Sequence, residues 1–477
     1  MRMLPAGLAA AVAVAAMAGD GVQPGLGPAI DVHRSLSEKE WPQLQNTPQR
    51  TGYSPCNVRP PVRVRWQTRL ADVDPVGITY AAAQAIVADD RVYVGCKSGR
   101  MHAFDAGTGT QIWAFAAGGP ILHTAGYAGG KLFFGAMDGR IYAVNAPSGE
   151  PAWTFGNERR FGFSTAALLA EDKVFLADRG GRLFAVRQDD GREAWHYDAE
   201  APVLQSAAWE KGRVYFASED MRVHAVDAAS GQRLWRSGPL AGMSFMDYWP
   251  VVVGGQVIVR SMASHGPHPL DYRKPGDRTM FVFDALTGEE TAPFEHYQYG
   301  MHGPHPPPAV TRDGLLVVPW PVVPEEVFIH KYKSAKDDRG WVLQDLTTQA
   351  ALLKFLHTGP ALPGVEDFLV PGVAPVDETI IPSVFGSDVA VIHHHGVWFA
   401  GSGQQQYGIY GLANQRWNLM PSITGWSRTP NSQGGGANAM SAAGGRLYHV
   451  ASACVLVCYE PAPEDAAAAA KRTEGGR

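Results

Sequence analysis

Cysteine is scarce: the chain has four in 477 residues, at 56, 96, 454 and 458, with no adjacent pair. None stands in a C-x-x-C-H run, which excludes a c-type haem attachment. Charge is sparse as well. Charged residues make up 18%, the formal net charge is −5, and no basic cluster is present, which argues against nucleic acid as a partner. After the first 18 residues no apolar run is long enough to span a bilayer, so no transmembrane segment is expected. Helical periodicity is hard to find from 60 to 460. There is no G-x-S-x-G elbow, P-loop or Rossmann fingerprint, so none of the reactions tied to those motifs is indicated. The hydrophobic content of 45% is still enough for a sizeable core, and 54 Gly and 35 Pro suit a chain of many turns.

The first 18 residues read as a secretory signal. Arg2 supplies the positive start, Ala9 to Ala16 the short apolar run, and Ala16-Met17-Ala18 a small-x-small cleavage site. No Cys follows to accept a lipid, so the chain is expected to be periplasmic or secreted and not a lipoprotein. Residues 19–40 read as a linker, 41–461 as one folded domain and 462–477 as a disordered tail.

What is present is a repeat. AFDAGTGTQIW ends at Trp113, AVNAPSGEPAW at Trp153, AVRQDDGREAW at Trp195 and AVDAASGQRLW at Trp235; a fainter VFDALTGEETA ends at Ala292. The four tryptophans are 40, 42 and 40 residues apart, a period that marks a repeat architecture. In each copy a strand runs into a turn. The turn Asp can accept backbone hydrogen bonds, and Gly109, Gly149, Gly191, Gly231 and Gly288 supply a positive φ. An outer strand then ends in Trp, whose large ring can fill the gap between neighbouring units. About ten residues upstream lie further strands: RVYVG, KLFFG, KVFLA and RVYFA. Four short antiparallel strands at this period are a propeller blade.

The A-x-D-x-x-T-G-x-x-x-W unit resembles the tryptophan-docking repeat of the PQQ-like, or quinoprotein alcohol dehydrogenase-like, β-propellers. The resemblance is strong over 81–235 and traceable to about 460. It implies an all-β fold of four-stranded antiparallel blades. Residues 41–55 resemble the lead-in that precedes the first blade in this family. Outer strands at Trp66, Trp113, Trp153, Trp195, Trp235, Ala292, Leu353 and Trp417 give eight blades, with seven as the alternative if 354–417 is irregular. The strand carrying Trp66 has no partner before it, and the segment 446–461 lacks an outer strand. The two are expected to pair and complete the last blade.

The second half carries extra residues at 261–279, 295–307, 319–340, 354–386 and 418–437. With strands a to d in each blade, all of these fall on b–c or d–a connections, which share one face. Function tends to sit on such loops. They hold His265, His268, His302 and His305, with His330 and His357 nearby, and clustered imidazoles suit a transition metal. The H-x-x-H pairs sit among Pro and Gly, so they are not a zincin motif. His393-His394-His395 aligns instead with an a–b turn on the opposite face.

The resemblance also implies pyrroloquinoline quinone with calcium as a cofactor, held in catalytic members by carboxylate and amide ligands beside a disulfide of adjacent cysteines. This chain has no such pair, and no position matches the family's catalytic aspartate or calcium ligands. No cofactor is therefore firmly expected. Three readings follow: an exported, non-catalytic and monomeric scaffold that binds a protein or small molecule through the loop face of blades 5–8; a quinone- and calcium-dependent dehydrogenase; and a metal-dependent enzyme built on the His-rich loops. A bridge from Cys56 to Cys454 or Cys458 would staple the ends together, with free thiols as the alternative.

Overall fold

In the computed structural model the described residues are 36–56, 62–70, 83–156, 161–246, 248–261, 280–291, 440–451 and 455–461, with Pro307 and Pro463. The strand backbones at 309–310, 316–321, 339–344, 351–356, 391–393, 407–411 and 416–419 are described as well.

The chain is all-β. Its opening strand β1 is Val62–Arg69. The first sheet comprises β2 (Ile86–Ala88), β3 (Arg91–Gly95), β4 (Arg100–Asp105) and β5 (Gln111–Ala116). The second is β6 (Gly126–Ala128), β7 (Lys131–Ala136), β8 (Arg140–Asn145) and β9 (Pro151–Gly156). The third is β10 (Leu168–Ala170), β11 (Lys173–Ala177), β12 (Arg182–Arg187) and β13 (Glu193–Asp198). The fourth is β14 (Ala208–Glu210), β15 (Arg213–Ser218), β16 (Arg222–Asp227) and β17 (Arg233–Arg236). The fifth has β18 (Val251–Val253), β19 (Gln256–Arg260) and β20 (Met280–Asp284). The sixth has β21 (Ala309–Val310), β22 (Leu316–Pro321), β23 (Arg339–Gln344) and β24 (Ala351–Leu356). The seventh has β25 (Val391–His393), β26 (Tyr407–Gly411) and β27 (Arg416–Leu419), and the eighth β28 (Met440–Ala443), β29 (Arg446–Ala451) and β30 (Val455–Pro461).

Each sheet is an antiparallel meander in chain order, and β1 joins the eighth as its outer strand, Trp66 opposite Cys458. Among the described residues the sheets therefore number eight, six of them four-stranded. The fifth and seventh show three strands among the described residues, where four were expected. At the outer edge of the fifth, Phe283 bridges Glu290 and Thr291 N donates to Val282 O. His393 ends β25, paired with Tyr407, and not in a turn.

The second and third strands of each repeat are buried on both faces, as in RVYVG and RMHAFD, because sheets pack against them from either side. The outer strands alternate, as in QIWAFA. A register shift recurs just before each turn between third and fourth strands, at Ala103/Phe104, Ala143/Val144, Ala185/Val186 and Ala225/Val226. Such a bulge bends the strand into the turn.

Each tryptophan lies against the turn of the following sheet. Trp66, Trp113, Trp153, Trp195 and Trp235 donate Nε1–H to the carbonyls of Ala106, Ala146, Gln188, Ala228 and Ala285 at 2.9–3.1 Å. Their rings cover Gly109, Gly149, Gly191, Gly231 and Gly288 in the same order; a Cβ at any of these glycines would stand 2.5–2.6 Å from the indole. The glycine thus serves two purposes: its φ lies at +72° to +75°, and the indole leaves no room for a methyl group. Trp417 stands in the outer strand β27. The turn aspartate does the expected local work: Asp105 Oδ1 accepts from Gly107 N at 3.0 Å, Thr108 N at 2.8 Å and Thr108 Oγ1 at 2.9 Å.

Candidate functional site

The first strands of the eighth, first, second, third, fourth and fifth sheets are successive neighbours and form an inner wall. Residues 38–56 run along that wall. Glu38 O accepts from Gly444 N, so the folded part begins inside the span read as a linker. Trp41 pairs with Val87, Pro42 O accepts from Tyr127 N, Pro48 O from Trp209 N and Gln49 O from Val252 N. Gln43 Oε1 accepts from Leu169 N, and Ser54 Oγ donates to Ala442 O. One short segment thereby bonds to the innermost strands of six sheets.

Arg50 anchors it. The side chain is fully buried; Nε donates to Ala207 O at 2.9 Å, Nη1 to Leu44 O at 2.8 Å and Nη2 to Ala167 O at 3.3 Å. The guanidinium is neutralised by carbonyl dipoles and not by a carboxylate, and burial lowers its pKa to about 9. Gln45, Asn46 and Arg50 all adopt positive φ, a left-handed backbone that persists only where the surroundings enforce it.

Beside Arg50 lies His123, also fully buried. Its Nδ1 accepts from Thr124 N at 2.9 Å, and its Nε2 is 3.4 Å from Ser206 Oγ. Burial first, then the Arg50 charge, pushes its pKa down to about 3, so the ring is neutral. Gln45 Nε2, Asn46 Oδ1, Gln49 Oε1 and both amide atoms of Gln205 are buried without a hydrogen-bond partner among the described residues. The inner region is thus polar, amide-rich and singly cationic.

This arrangement suits amide and carbonyl recognition. Among the described residues no three His, Cys, Asp or Glu side chains converge. The bridge from Cys56 to Cys458 is not formed; Cys454 lies outside the described residues. Cys56 Sγ instead accepts from Gly445 N at 3.1 Å, and burial raises its pKa.

His265, His268, His302 and His305 lie outside the described residues, as do His330, His357, His394 and His395. The strands flanking the inserts are described. Residues 262–279 and 322–338 join second to third strands, and 357–390 joins the sixth sheet to the seventh. In a four-stranded antiparallel meander both kinds of connection leave from the same end of the sheet. The shorter connections at that end expose Phe161, Met243 and Met246 at 44%, 63% and 37%, large apolar groups held in water.

No curated protein sequence matches the chain. A family model described as outer membrane protein assembly factor BamB matches residues 63–209, 137–266 and 203–291. The fold is similar to that of BamB from Moraxella catarrhalis, with a TM-score of 0.52 and 16% identity over 84% of this chain and 99% of that one. It is also similar to the quinohemoprotein alcohol dehydrogenase ADHIIG from Pseudomonas putida HK5 (0.54, 14%, covering 91% and 83%). The quinohemoprotein alcohol dehydrogenase from Comamonas testosteroni scores alike (0.53, 13%, covering 91% and 82%).

Proposed function

Because residues 63–291 belong to the PQQ-like β-propeller repeat family, we propose that this chain is an exported, monomeric and non-catalytic scaffold that holds a protein or small-molecule partner on its insert-bearing end. One observation carries the reading: the second half places its extra length at the ends where sheets join and second strands turn into third. In the first four sheets the turns at the opposite end are short. Exposed Phe161, Met243 and Met246 on the same kind of connection add apolar anchors. The matching family model is described as an assembly factor, a role that needs a partner and no cofactor. Among the described residues no helix is long and apolar enough to cross a membrane.

A quinone- and calcium-dependent dehydrogenase is the first alternative, raised by the likeness of the fold to quinohemoprotein alcohol dehydrogenases. The His-rich inserts keep a metal-dependent enzyme as the other alternative, with His265, His268, His302 and His305 as its ligands. The test is a titration of the mature chain with pyrroloquinoline quinone, with and without calcium, read by absorbance, alongside elemental analysis. The scaffold reading expects neither quinone nor stoichiometric metal. Calcium-dependent one-to-one quinone binding, or a transition metal lost on changing the four histidines to Ala, would overturn it.

A further inference from the structure

The outer strand of each sheet is an open edge, and charged residues or proline on such a strand discourage a further strand from pairing with it. Among the described residues β1 carries Arg65, β9 opens on Pro151, β13 ends on Asp198, β17 carries Arg236, β24 Lys354 and β27 Arg416. β5, with the sequence QIWAFA, alone has neither a charge nor a proline.

The direction of its backbone groups follows from two bonds. Cys96 N donates to Arg100 O, which turns residue 100 toward β3, and Ala117 N donates to Gly99 O across the β4–β5 ladder. By alternation Phe115 and Trp113 exchange their bonds with Met101 and Ala103, their register partners. The N–H and C=O groups of Ala114 and Ala116 therefore point away from the sheet. No described residue bonds to them. The side chains at the edge are uncovered as well: Gln111, Ile112, Ala114 and Ala116 are exposed, Ile112 at 43%. The turn that supplies Gly99 O stands at the C-terminal end of β5. It carries the exposed Lys97, which has no ion pair among the described residues.

We propose that the edge of β5 takes up one extended segment of a partner protein as an added antiparallel strand. Unpaired backbone donors and acceptors recognise a strand, and every pairing in these sheets is antiparallel. The segment is uncharged where it lies along Ala114 and Ile112. It bears a carboxylate at its N-terminal end, which antiparallel pairing sets beside Lys97. β5 has no carboxylate of its own, so a second copy of the strand does not supply that group. The surface belongs to the outer edge of the first sheet and is independent of the insert-bearing end.

The experiment is titration of the full chain into the capped, dye-labelled peptide Glu-Thr-Val-Thr-Val-Thr, read by fluorescence anisotropy. A version beginning with Lys and a version with proline at its fourth position serve as controls. The Glu peptide should saturate below about 1 mM. It should bind about threefold or more tighter than the Lys peptide, and the proline peptide should not bind. Lys97→Met should erase the preference for Glu over Lys. Ala114→Pro removes an outward N–H and none that faces β4, a place where an edge strand accepts proline, and should weaken the Glu peptide about tenfold or more. On the unaltered chain, hydrogen exchange at Ala114 and Ala116 should slow on saturation, with the other outer strands unchanged. Full binding by a folded Ala114→Pro variant, or slowing on a different outer strand, would overturn the site. Equal binding of the Lys peptide would overturn the carboxylate assignment. Self-association in sedimentation that Ala114→Pro abolishes would make a second copy the occupant, and no saturation by about 1 mM would overturn the proposal outright.

Discussion

At the scale of single residues, the repeated Trp–Gly contact makes two sharp predictions. Trp195, only 9% exposed, stacks on Phe175 and covers Gly231. Trp195→Ala should cost about 3–5 kcal/mol in urea unfolding, the range for deleting a large buried aromatic. A loss under about 1 kcal/mol would remove the docking role. Gly191→Ala should cost more than Gly129→Ala. Both glycines have positive φ, but a Cβ at 191 stands 2.6 Å from Trp153 whereas one at 129 meets nothing within 4 Å. Acid should also weaken the fold in two windows. Burial lowers the pKa of His224 to about 4 and that of His123 to about 3, against an ordinary 6.5. Their contribution is complete above 6.5 and is lost as pH falls toward those folded values, because only the unfolded chain takes up the proton. His224→Phe, copying Phe184 at the same place in the third sheet, should flatten the unfolding free energy between pH 6.5 and 4. The turn acids Asp105 and Asp227, held low chiefly by the Thr108 and Ser230 hydroxyls, act in the more acidic window below.

Two elements lie outside the repeat and do much of the joining. Segment 38–56 bonds to six sheets, and Arg50 holds it by three carbonyls. Arg50→Met leaves those buried acceptors unmet and should cost on the order of 2–4 kcal/mol, read by thermal or urea unfolding. A neutral outcome would make the segment a passenger. β1 is the second element. It completes the eighth sheet and places Trp66 over Gly109 of the first. Deleting residues 62–69 strips the outer edge from β30 and should cause self-association or loss of the folded state, read by sedimentation. A stable monomer would show that the edge needs no cover.

From the eighth sheet through the first to the fifth, successive sheets pack through the same indole–turn contact, so stability there should be distributed and nearly additive between distant seams. Trp113→Ala and Trp235→Ala, in the first–second and fourth–fifth seams, should add to within about 0.5 kcal/mol when combined, a comparison that unfolding curves of the single and double variants can make.

The sequence by itself determined the all-β class, the repeat and the turn and docking positions, because each copy reports the same local chemistry at a fixed spacing; which glycine each tryptophan covers came from the packing of adjacent sheets. A turn aspartate, a glycine at positive φ and a tryptophan can be read from one repeat and checked against the next. It also marked the strand at 62–70 as unpartnered. Only tertiary structure decided what has no second copy. Residues 41–55 read as a lead-in, yet they run along the innermost strands, because their backbone and amide groups match those of six sheets that are distant in sequence.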